Sequence, residues 1–232
     1  KKILPSEYGD NDAGNIELAV FLSTHKSKVI TYKANDLTVN SVDYLISQEF
    51  SPLGGKRVGI IGAGNLGTKI ALTLLERGAR INLWRRDQEK LKSIVSALNL
   101  IRPPGTISLA EPSKTPEDAA RNCDIIIGST PGIPCINKEC IEVLKEKSMI
   151  IDVGKGTIDK EALKYAKSKN IKVIRADIRA GFEGTITTIF STKELTDSLL
   201  GESEINGIKI ASGGMFAEEG TIIVDNYKNP TR

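Results

Sequence analysis

A glycine pattern, GAGNLG at residues 62–67, constrains the fold of this chain more than any other feature. It follows an apolar run at residues 58–61, which is typical of a buried parallel strand. It precedes a stretch in which leucine, isoleucine and alanine recur at helical spacing as far as Arg77, and Gly78 is well placed to end that helix. A strand, a tight glycine turn and a helix in this order predict a unit whose helix N-terminus binds a pyrophosphate.

Each glycine of the pattern has its own predicted role. Gly62 permits the tight turn, Gly64 permits a pyrophosphate to approach the backbone, and Gly67 permits the helix to pack on the strand. Asn65 and Leu66 open the helix, where backbone N–H groups are free to bind phosphate oxygens. These five residues are the predicted phosphate-binding residues, and a tight turn without a ligand is the alternative.

The end of the second predicted strand indicates which dinucleotide is bound. Enzymes that use NAD usually place a carboxylate there, about 20 residues after the glycines, to bind the ribose. Here the chain reads INLWRRD at residues 81–87, so Arg85 and Arg86 stand at the strand end. Paired guanidinium groups suit a 2′-phosphate, and Asp87 is interpreted as the cap of the next helix. The pattern therefore favours NADP over NAD, and a solvated basic turn is the alternative.

Composition is that of an ordinary globular chain, with 40% hydrophobic and 26% charged residues among 232. The net charge of +3 is small and the two signs are interspersed, so no nucleic-acid partner is predicted. No apolar run reaches transmembrane length and no signal peptide is visible, so no membrane partner is predicted. The three cysteines lack metal-binding spacing and His25 is the only histidine, which favours reduced thiols in the cytoplasm and argues against a metal site.

Strand and helix patterns alternate with short loops from residue 53 to about residue 177. This alternation predicts an α/β fold with a doubly wound, mostly parallel sheet, a short N-terminal helix/strand extension and a less regular C-terminal part. Three segments are expected: residues 1–52 as a partial N-terminal segment, the remnant of a substrate domain; residues 53–190 as the NAD(P)-binding domain; and residues 191–232 as a C-terminal extension.

The same patterns predict the individual elements. Strands are predicted at residues 28–32, 58–61, 81–84, 106–109, 124–128, 149–153, 173–176, 207–211 and 221–224. Helices are predicted at residues 16–23, 65–77, 88–98, 137–145, 159–169 and 193–200, with a further helix ending near residue 48 and another beginning at Pro116 behind a Thr115 cap.

The segment from residue 53 to about 177 resembles the Rossmann domain of several NAD(P)-dependent dehydrogenases. LGGKRVGIIGAGNLG at residues 53–67 and INKECIEVLKEKSMIIDVGKGTIDKEAL at residues 136–163 resemble the D-2-hydroxyacid dehydrogenases. The WRRD turn at residues 84–87 is similar to that of the shikimate and methylene-tetrahydrofolate dehydrogenase group, in which Arg86 would meet the 2′-phosphate. LWRRD looks equally like glycerol-3-phosphate dehydrogenase. These resemblances imply a nicotinamide cofactor and say little about the substrate.

The chain also departs from these families. The hydroxyacid dehydrogenases carry a substrate-binding arginine where this chain has Lys155, and they use a downstream histidine that this chain lacks. The shikimate group carries much of its substrate site in a domain ahead of the Rossmann unit, and about 55 residues are too few for that domain. We therefore expect the substrate half to be reduced, absent or supplied by a homo-oligomer or an additional domain of a longer chain.

The turn after the fourth predicted strand supplies further cofactor-binding candidates. Ser129, Thr130 and Pro131 stand at the carboxyl edge of the sheet, where doubly wound folds bind ligands. In the resembling families this turn lies along the nicotinamide ribose. A turn without a functional role is the alternative.

Two further strand ends supply the catalytic candidates. Gly154 and Lys155 follow the fifth strand; Gly154 is a predicted cofactor contact, and the lysine is placed to bind a carboxylate or polarise a carbonyl. Asp177 and Arg179 follow the sixth strand, where either residue could orient substrate; an ion pair between neighbouring strand ends is the alternative. For Lys155, a solvated surface role is the alternative.

Together these features predict an NADP-dependent oxidoreductase that transfers hydride between nicotinamide and a small polar substrate. Hydroxy or keto acids, amino-acid-derived imines and pterins are the substrate classes left open. The alternative is a non-catalytic NAD(P)-binding module or the cofactor half of a larger multidomain enzyme.

Overall fold

A computed structural model describes residues 16–231, except for the side chains of Ala180 and Ser198. The chain divides into two compact units, one ending at Asp36 and the other beginning at Leu37. The first unit contains helix α1 (Ile16–Ser23), as predicted. The strand predicted at residues 28–32 is wrong: this segment has no regular secondary structure, because no other described strand pairs with it.

A six-stranded parallel sheet organises the second unit, in the order β3-β2-β1-β4-β5-β6. Its strands are β1 (Arg57–Ile61), β2 (Arg80–Trp84), β3 (Leu109–Pro112), β4 (Ile125–Gly128), β5 (Met149–Asp152) and β6 (Lys172–Arg175). In register, Ile61 lies beside Trp84 on one side and Gly128 on the other, so three strands end at one edge. The strand order reverses between β1 and β4, and this confirms the predicted doubly wound α/β fold.

Strand β3 begins three residues later than predicted, at Leu109, where pairing with Arg80 starts. The predicted residues are held by local hydrogen bonds instead. Thr106 Oγ1 accepts a hydrogen bond from the Ser108 amide at 2.8 Å, and the Arg102 guanidinium donates to the Ser108 carbonyl. Such side-chain bonds compete with a strand ladder.

Seven helices follow in the second unit or lead into it. They are α2 (Ala34–Glu49), α3 (Asn65–Glu76), α4 (Gln88–Ile101), α5 (Pro116–Ala120), α6 (Lys138–Glu142), α7 (Lys160–Ser168) and α8 (Arg179–Leu199). Thr115 caps α5 as predicted, accepting a hydrogen bond from the Asp118 amide. Helix α6 ends earlier than predicted because the Lys145 amide donates to the Cys123 carbonyl and leaves the helical path.

The core occupies both faces of the six-stranded sheet. Ile60 and Ile127 belong to one buried cluster, whereas Ile61, Ile126 and Ile150 belong to the other. Successive strand residues point to opposite faces, and burial on both sides explains why these strands read as continuous apolar runs. The carboxyl edge of the sheet is left for loops.

The C-terminal part contains α8 and a separate three-stranded sheet. Its strands are β7 (Glu202–Ile205), β8 (Ile208–Ser212) and β9 (Ile222–Val224), with β7 antiparallel and β9 parallel to β8. The predicted helix at residues 193–200 is only the last part of α8, and β7 was not predicted. Helix α8 also runs across residue 190, and the predicted segment boundaries remain predictions. Within residues 16–231, no helix is both long and apolar enough to cross a lipid bilayer.

Candidate functional site

The glycine turn between β1 and α3 is closed by the backbone of β2. The amides of Gly62 and Ala63 both donate to the Trp84 carbonyl, at 2.9 and 3.1 Å. Gly62 has a positive φ of 111°, and a Cβ on Gly67 would lie 2.1 Å from the Gly62 carbonyl oxygen. Side chains at these two positions would therefore strain the turn or separate the helix from the strand.

Gly64 differs from its two neighbours because nothing lies within 4 Å of a Cβ built on it. It precedes α3, which begins at Asn65 and has no side-chain cap. The first amides of a helix have no partner within the helix, and its dipole favours negative charge there. The space in front of Gly64 is therefore open to an anion, and its backbone conformation (φ −89°) is ordinary for any residue.

A cleft of about 400 Å³ lies beside this turn at the carboxyl edge of the sheet. It brings together most of the predicted cofactor-binding residues. Its lining comprises Gly62, Ala63, Gly64, Trp84, Arg85, Arg86, Asp87, Ser129, Thr130, Pro131, Ile133 and Cys135. Five lining residues were not predicted to bind the cofactor: Ala63, Trp84, Asp87, Ile133 and Cys135. Each lies in or directly beside a predicted turn, and this continuity was the available signal.

The other predicted cofactor residues lie around the cleft rather than in its lining. Asn65 borders a neighbouring groove together with Gly64 and Arg85. Leu66 packs against the buried core, and Gly67 is buried. The predicted roles of these residues in cofactor binding remain predictions.

The two arginines at the end of β2 have different surroundings. Arg85 is half-buried and its Nη1 donates to the Ala63 carbonyl oxygen at 3.0 Å. Arg86 is exposed, and its guanidinium has no hydrogen-bond or ion-pair partner among the described residues. Asp87 caps α4 as predicted: its carboxylate accepts a hydrogen bond from the Lys90 amide at 3.1 Å, and this bond lowers the pKa of Asp87.

The turn after β4 is held by its own hydroxyl groups. Ser129 Oγ donates to the Gly62 carbonyl at 2.7 Å, and Thr130 Oγ1 donates to the Ile133 carbonyl at 2.8 Å. Gly154, on the next turn, lies so close that a Cβ on it would be 1.8 Å from the Thr130 carbonyl oxygen. Gly154 thus lets the turns after β4 and β5 touch, and it lies outside the cleft lining.

A buried carboxylate organises the turn after β5. Asp152, only 6% exposed, accepts hydrogen bonds from the Gly156 amide and the Thr157 hydroxyl, both at 2.8 Å. Burial alone would raise the pKa of Asp152, but these bonds and the charge of Arg175 hold it below its ordinary value. Sequence reasoning missed this role; the signal was an aspartate followed by two glycines and a threonine in DVGKGT.

Lys155 stands at the exposed tip of the turn that Asp152 holds. Its φ of +59° is in the left-handed region, which non-glycine residues adopt uncommonly. The lysine is not part of the cleft lining. Its side chain is therefore presented to solvent one strand away from the turn that borders the cleft.

Asp177 forms an ion pair with Arg179, two residues later in the chain, rather than with a residue at a neighbouring strand end. Nε of Arg179 donates to both carboxylate oxygens, at 3.0 and 2.8 Å. The hydrogen bonds from Arg179 lower the pKa of Asp177 to about 2, and the charge of Lys155 contributes. Asp177 is exposed and lies outside the cleft lining, so the structure does not gather the two catalytic candidates with the cofactor-binding candidates.

Acidic, cysteine and histidine residues of the described chain form no cluster of three or more suited to a metal ion. Cys123 and Cys140 are buried free thiols, and burial raises the pKa of each to about 12. Both are therefore unreactive at neutral pH.

Comparison with known families explains the glycine turn. Residues 57–193 match the family model described as the NAD binding domain of 6-phosphogluconate dehydrogenase. The chain belongs to this family. Membership supports a nicotinamide dinucleotide cofactor and confirms the predicted placement of the chain among NAD(P)-binding dehydrogenase and reductase domains.

Curated relatives of this NAD-binding domain include two bacterial proteins named glycerol-3-phosphate dehydrogenase [NAD(P)+]. The protein from Thermoanaerobacter sp. (strain X514) is 29% identical over 107 residues, covering 43% of this chain and 32% of the relative. The protein from Leptospira biflexa serovar Patoc is 30% identical over 114 residues, covering 47% of this chain and 34% of the relative. The chain thus spans about a third of the length of these relatives.

Solved structures confirm the Rossmann-type fold. A dipicolinate synthase polypeptide from Bacillus halodurans superposes with a TM-score of 0.54 at 16% identity, over 69% of this chain and 54% of that one. Shikimate dehydrogenase from Aquifex aeolicus gives a TM-score of 0.50 at 20% identity, over 67% of this chain and 56% of that one. At these identities the likeness concerns the fold alone.

Proposed function

We propose that this protein is an NADP-dependent oxidoreductase that transfers hydride between nicotinamide and a small polar substrate. The observation that carries the proposal is the arrangement at the end of β2. Arg86 offers an exposed guanidinium at the cleft, and the Asp87 carboxylate, which also lines the cleft, accepts a hydrogen bond from the Lys90 amide as a helix cap. A 2′-phosphate would meet a cation there, and the carboxylate that would otherwise bind a ribose hydroxyl already serves as a helix cap.

The glycine turn fits the pyrophosphate of such a cofactor. Gly64 has open space on its Cβ side, and α3 begins behind it without a side-chain cap. Backbone amides of Asn65, Leu66 and Gly67 would bind the phosphate oxygens, and the helix dipole would favour their charge.

When bound, the nicotinamide supplies or accepts a hydride. Ser129, Thr130 and Pro131 would lie along its ribose, with the two hydroxyls already engaged in shaping the turn. Lys155 would bind an anionic group of the substrate or polarise its carbonyl. Asp177, whose pKa of about 2 keeps it ionised at neutral pH, would orient substrate rather than donate a proton.

A positive group at position 155 favours substrates that carry a carboxylate. Keto or hydroxy acids fit best, and carboxylate-bearing imines and pterins remain within the proposal.

A second candidate function, a non-catalytic NAD(P)-binding module or the cofactor half of a larger enzyme, is favoured by one observation: neither Lys155 nor Asp177 lines the cleft. On that view the substrate-binding groups come from elsewhere.

Two measurements test the proposal. Calorimetric titration with NADPH and NADH tests the cofactor, and tighter binding of NADPH is expected. An assay of NADPH oxidation with a panel of keto acids, imines and pterins tests catalysis. Turnover of a panel member supports the oxidoreductase, whereas NADPH binding with no turnover of any panel member supports the binding module.

A further inference from the structure

Helix α8 has a stripe of side chains that the described chain covers only in part: four of its six residues are exposed, and Ile186 and Lys193 are half-buried. None of its described side chains is buried, although the helix has 21 residues and is roughly 31 Å long. Six residues recur at alternating spacings of four and three, the spacing of a coiled-coil seam. This α8 stripe consists of Arg179, Glu183, Ile186, Phe190, Lys193 and Asp197.

The charges along the α8 stripe are ordered so that a second copy running in the opposite direction places an opposite charge against each of them. From its N-terminal end the stripe reads positive, negative, apolar, apolar, positive, negative. In an antiparallel pair of α8 helices with a two-fold axis level with residue 188, Glu183 faces Lys193 of the second copy. In the same register Arg179 faces Asp197 of the second copy, and Ile186 faces Phe190 of the second copy.

We propose that the α8 stripe is an antiparallel homodimer interface. A parallel pair would set every charge against its like, which is unfavourable across a helix seam. The self-complementary order is what a two-fold interface requires, since the same surface must fit itself. A partner of unrelated sequence would leave this order without a reason.

The ion pairs within one chain leave room for this pairing. Arg179 is ion-paired with Asp177, and in the dimer its guanidinium lies between that carboxylate and Asp197 of the second copy. Lys193 is ion-paired with Asp197 one turn away, and in the dimer it lies between that carboxylate and Glu183 of the second copy. Phe190, at the centre of the stripe, is 57% exposed in the single chain. A two-helix seam buries less than the roughly 800 Å² per partner of a standard interface, so the dimer dissociates on dilution.

Charge reversal tests the register directly. Glu183→Lys and Lys193→Glu each set like charges against one another across the seam. Each variant is expected to raise the dimer dissociation constant at least tenfold, which favours the 25.1 kDa monomer. An equimolar mixture of the two variants restores opposite charges at both contacts, as does the double variant. Sedimentation equilibrium over a wide concentration range measures all five samples, and circular dichroism checks folding.

A second pair of variants separates the stripe from general surface apolarity. Phe190 and Leu195 are equally exposed, at 57%, but Leu195 lies on the opposite side of the helix. Phe190→Gln is expected to weaken the dimer at least tenfold, and Leu195→Gln to leave it unchanged. A wild-type chain that stays monomeric at every concentration overturns the proposal. The proposal is also overturned if a single charge reversal leaves the dissociation constant unchanged, or if mixing the two variants does not restore the dimer. If a charge variant fails to fold, Phe190→Gln and Leu195→Gln decide.

Discussion

Nη1 of Arg85 donates a hydrogen bond to the Ala63 carbonyl oxygen at 3.0 Å, tying the end of β2 to the glycine turn. Its neighbour Arg86 has no such bond and stays exposed at the cleft. Two arginines that the sequence treats alike therefore have different surroundings. Arg85 supports the shape of the turn, and Arg86 has its charge available for a ligand.

Arg86→Gln is therefore expected to reduce NADPH affinity about tenfold to a hundredfold, the effect of losing a charge-assisted phosphate contact of about 1.5–3 kcal/mol. NADH affinity should change little, because NADH has no 2′-phosphate. Arg85→Gln is the matched comparison and should weaken both cofactors, since it loosens the glycine turn. Calorimetry with the two cofactors measures this, and equal losses for NADPH and NADH in Arg86→Gln would contradict the assignment.

The sequence predicts a structural feature correctly where its local signal and the tertiary contacts agree. The glycine turn, the buried strands and the helix caps at Asp87 and Thr115 are local features that the fold retains. Helix α8 was largely missed because Gly181, Gly184 and several threonines weaken the helical pattern. A Cβ on Gly181 would lie 2.8 Å from Ser41 Oγ, so this glycine is there for helix packing, which the local sequence does not reveal.

The difference between the arginines depends on distance rather than on sequence pattern. Nothing in WRRD indicates that a carbonyl 22 residues earlier accepts a hydrogen bond from Arg85. Likewise, Asp177 reads as a strand-end carboxylate, and only the position of Arg179 turns it into an ion pair. Contacts of this kind are set by the fold and become visible only with it.

Gly64→Val should abolish cofactor binding while leaving the fold intact. Its Cβ would meet nothing within 4 Å in the protein, so the clash arises only with a bound pyrophosphate. Gly67→Val is the comparison: its Cβ would lie 2.1 Å from the Gly62 carbonyl, and a loss of several kcal/mol in unfolding free energy is expected. Urea unfolding and NADPH titration of both variants check this. A Gly64→Val protein that binds NADPH normally would reduce GAGNLG to a structural turn.

Asp152→Asn should lower the unfolding free energy at neutral pH by about 1–3 kcal/mol, because an amide replaces one carboxylate oxygen that accepts buried hydrogen bonds. The folded-state pKa of Asp152 lies below the ordinary value of 3.8, so the carboxylate stabilises the fold above that pH. This contribution disappears as the pH falls through the folded-state pKa. Denaturation of wild type and variant at several pH values should show the gap closing below about pH 4, and a gap independent of pH would exclude the carboxylate as its cause.

Ser148→Ala should not destabilise the protein. Ser148 is 3% exposed, and its hydroxyl has no hydrogen-bond partner among the described residues, so its removal relieves a desolvation cost of up to about 1 kcal/mol. Ser41→Ala is the control, since the buried Ser41 hydroxyl donates to the Ile178 carbonyl at 3.3 Å. That variant should lose about 0.5–1.5 kcal/mol. Thermal unfolding of both proteins makes the comparison, and a destabilised Ser148→Ala would indicate a partner for that hydroxyl.

Lys155→Met is the decisive change for the catalytic proposal. The lysine stands at the tip of a turn that Asp152 fixes through the Gly156 amide, and it is exposed. In the resembling hydroxyacid enzymes an arginine occupies this position and binds the substrate carboxylate. A lysine keeps the charge without the two-pronged geometry, so it should bind anions less selectively. Methionine has a similar length and the same left-handed backbone strain, so the variant removes the charge and little else.

If Lys155 binds substrate, Lys155→Met should lower turnover or raise KM at least tenfold and leave NADPH affinity within about twofold, because the residue lies outside the cofactor cleft. Lys164→Met, an exposed lysine on α7, is the control and should behave as wild type. A panel of keto acids, imines and pterins with NADPH provides the assay. Full activity in Lys155→Met would remove the residue from the site, because a group that binds the reacting substrate cannot lose its charge without a kinetic effect.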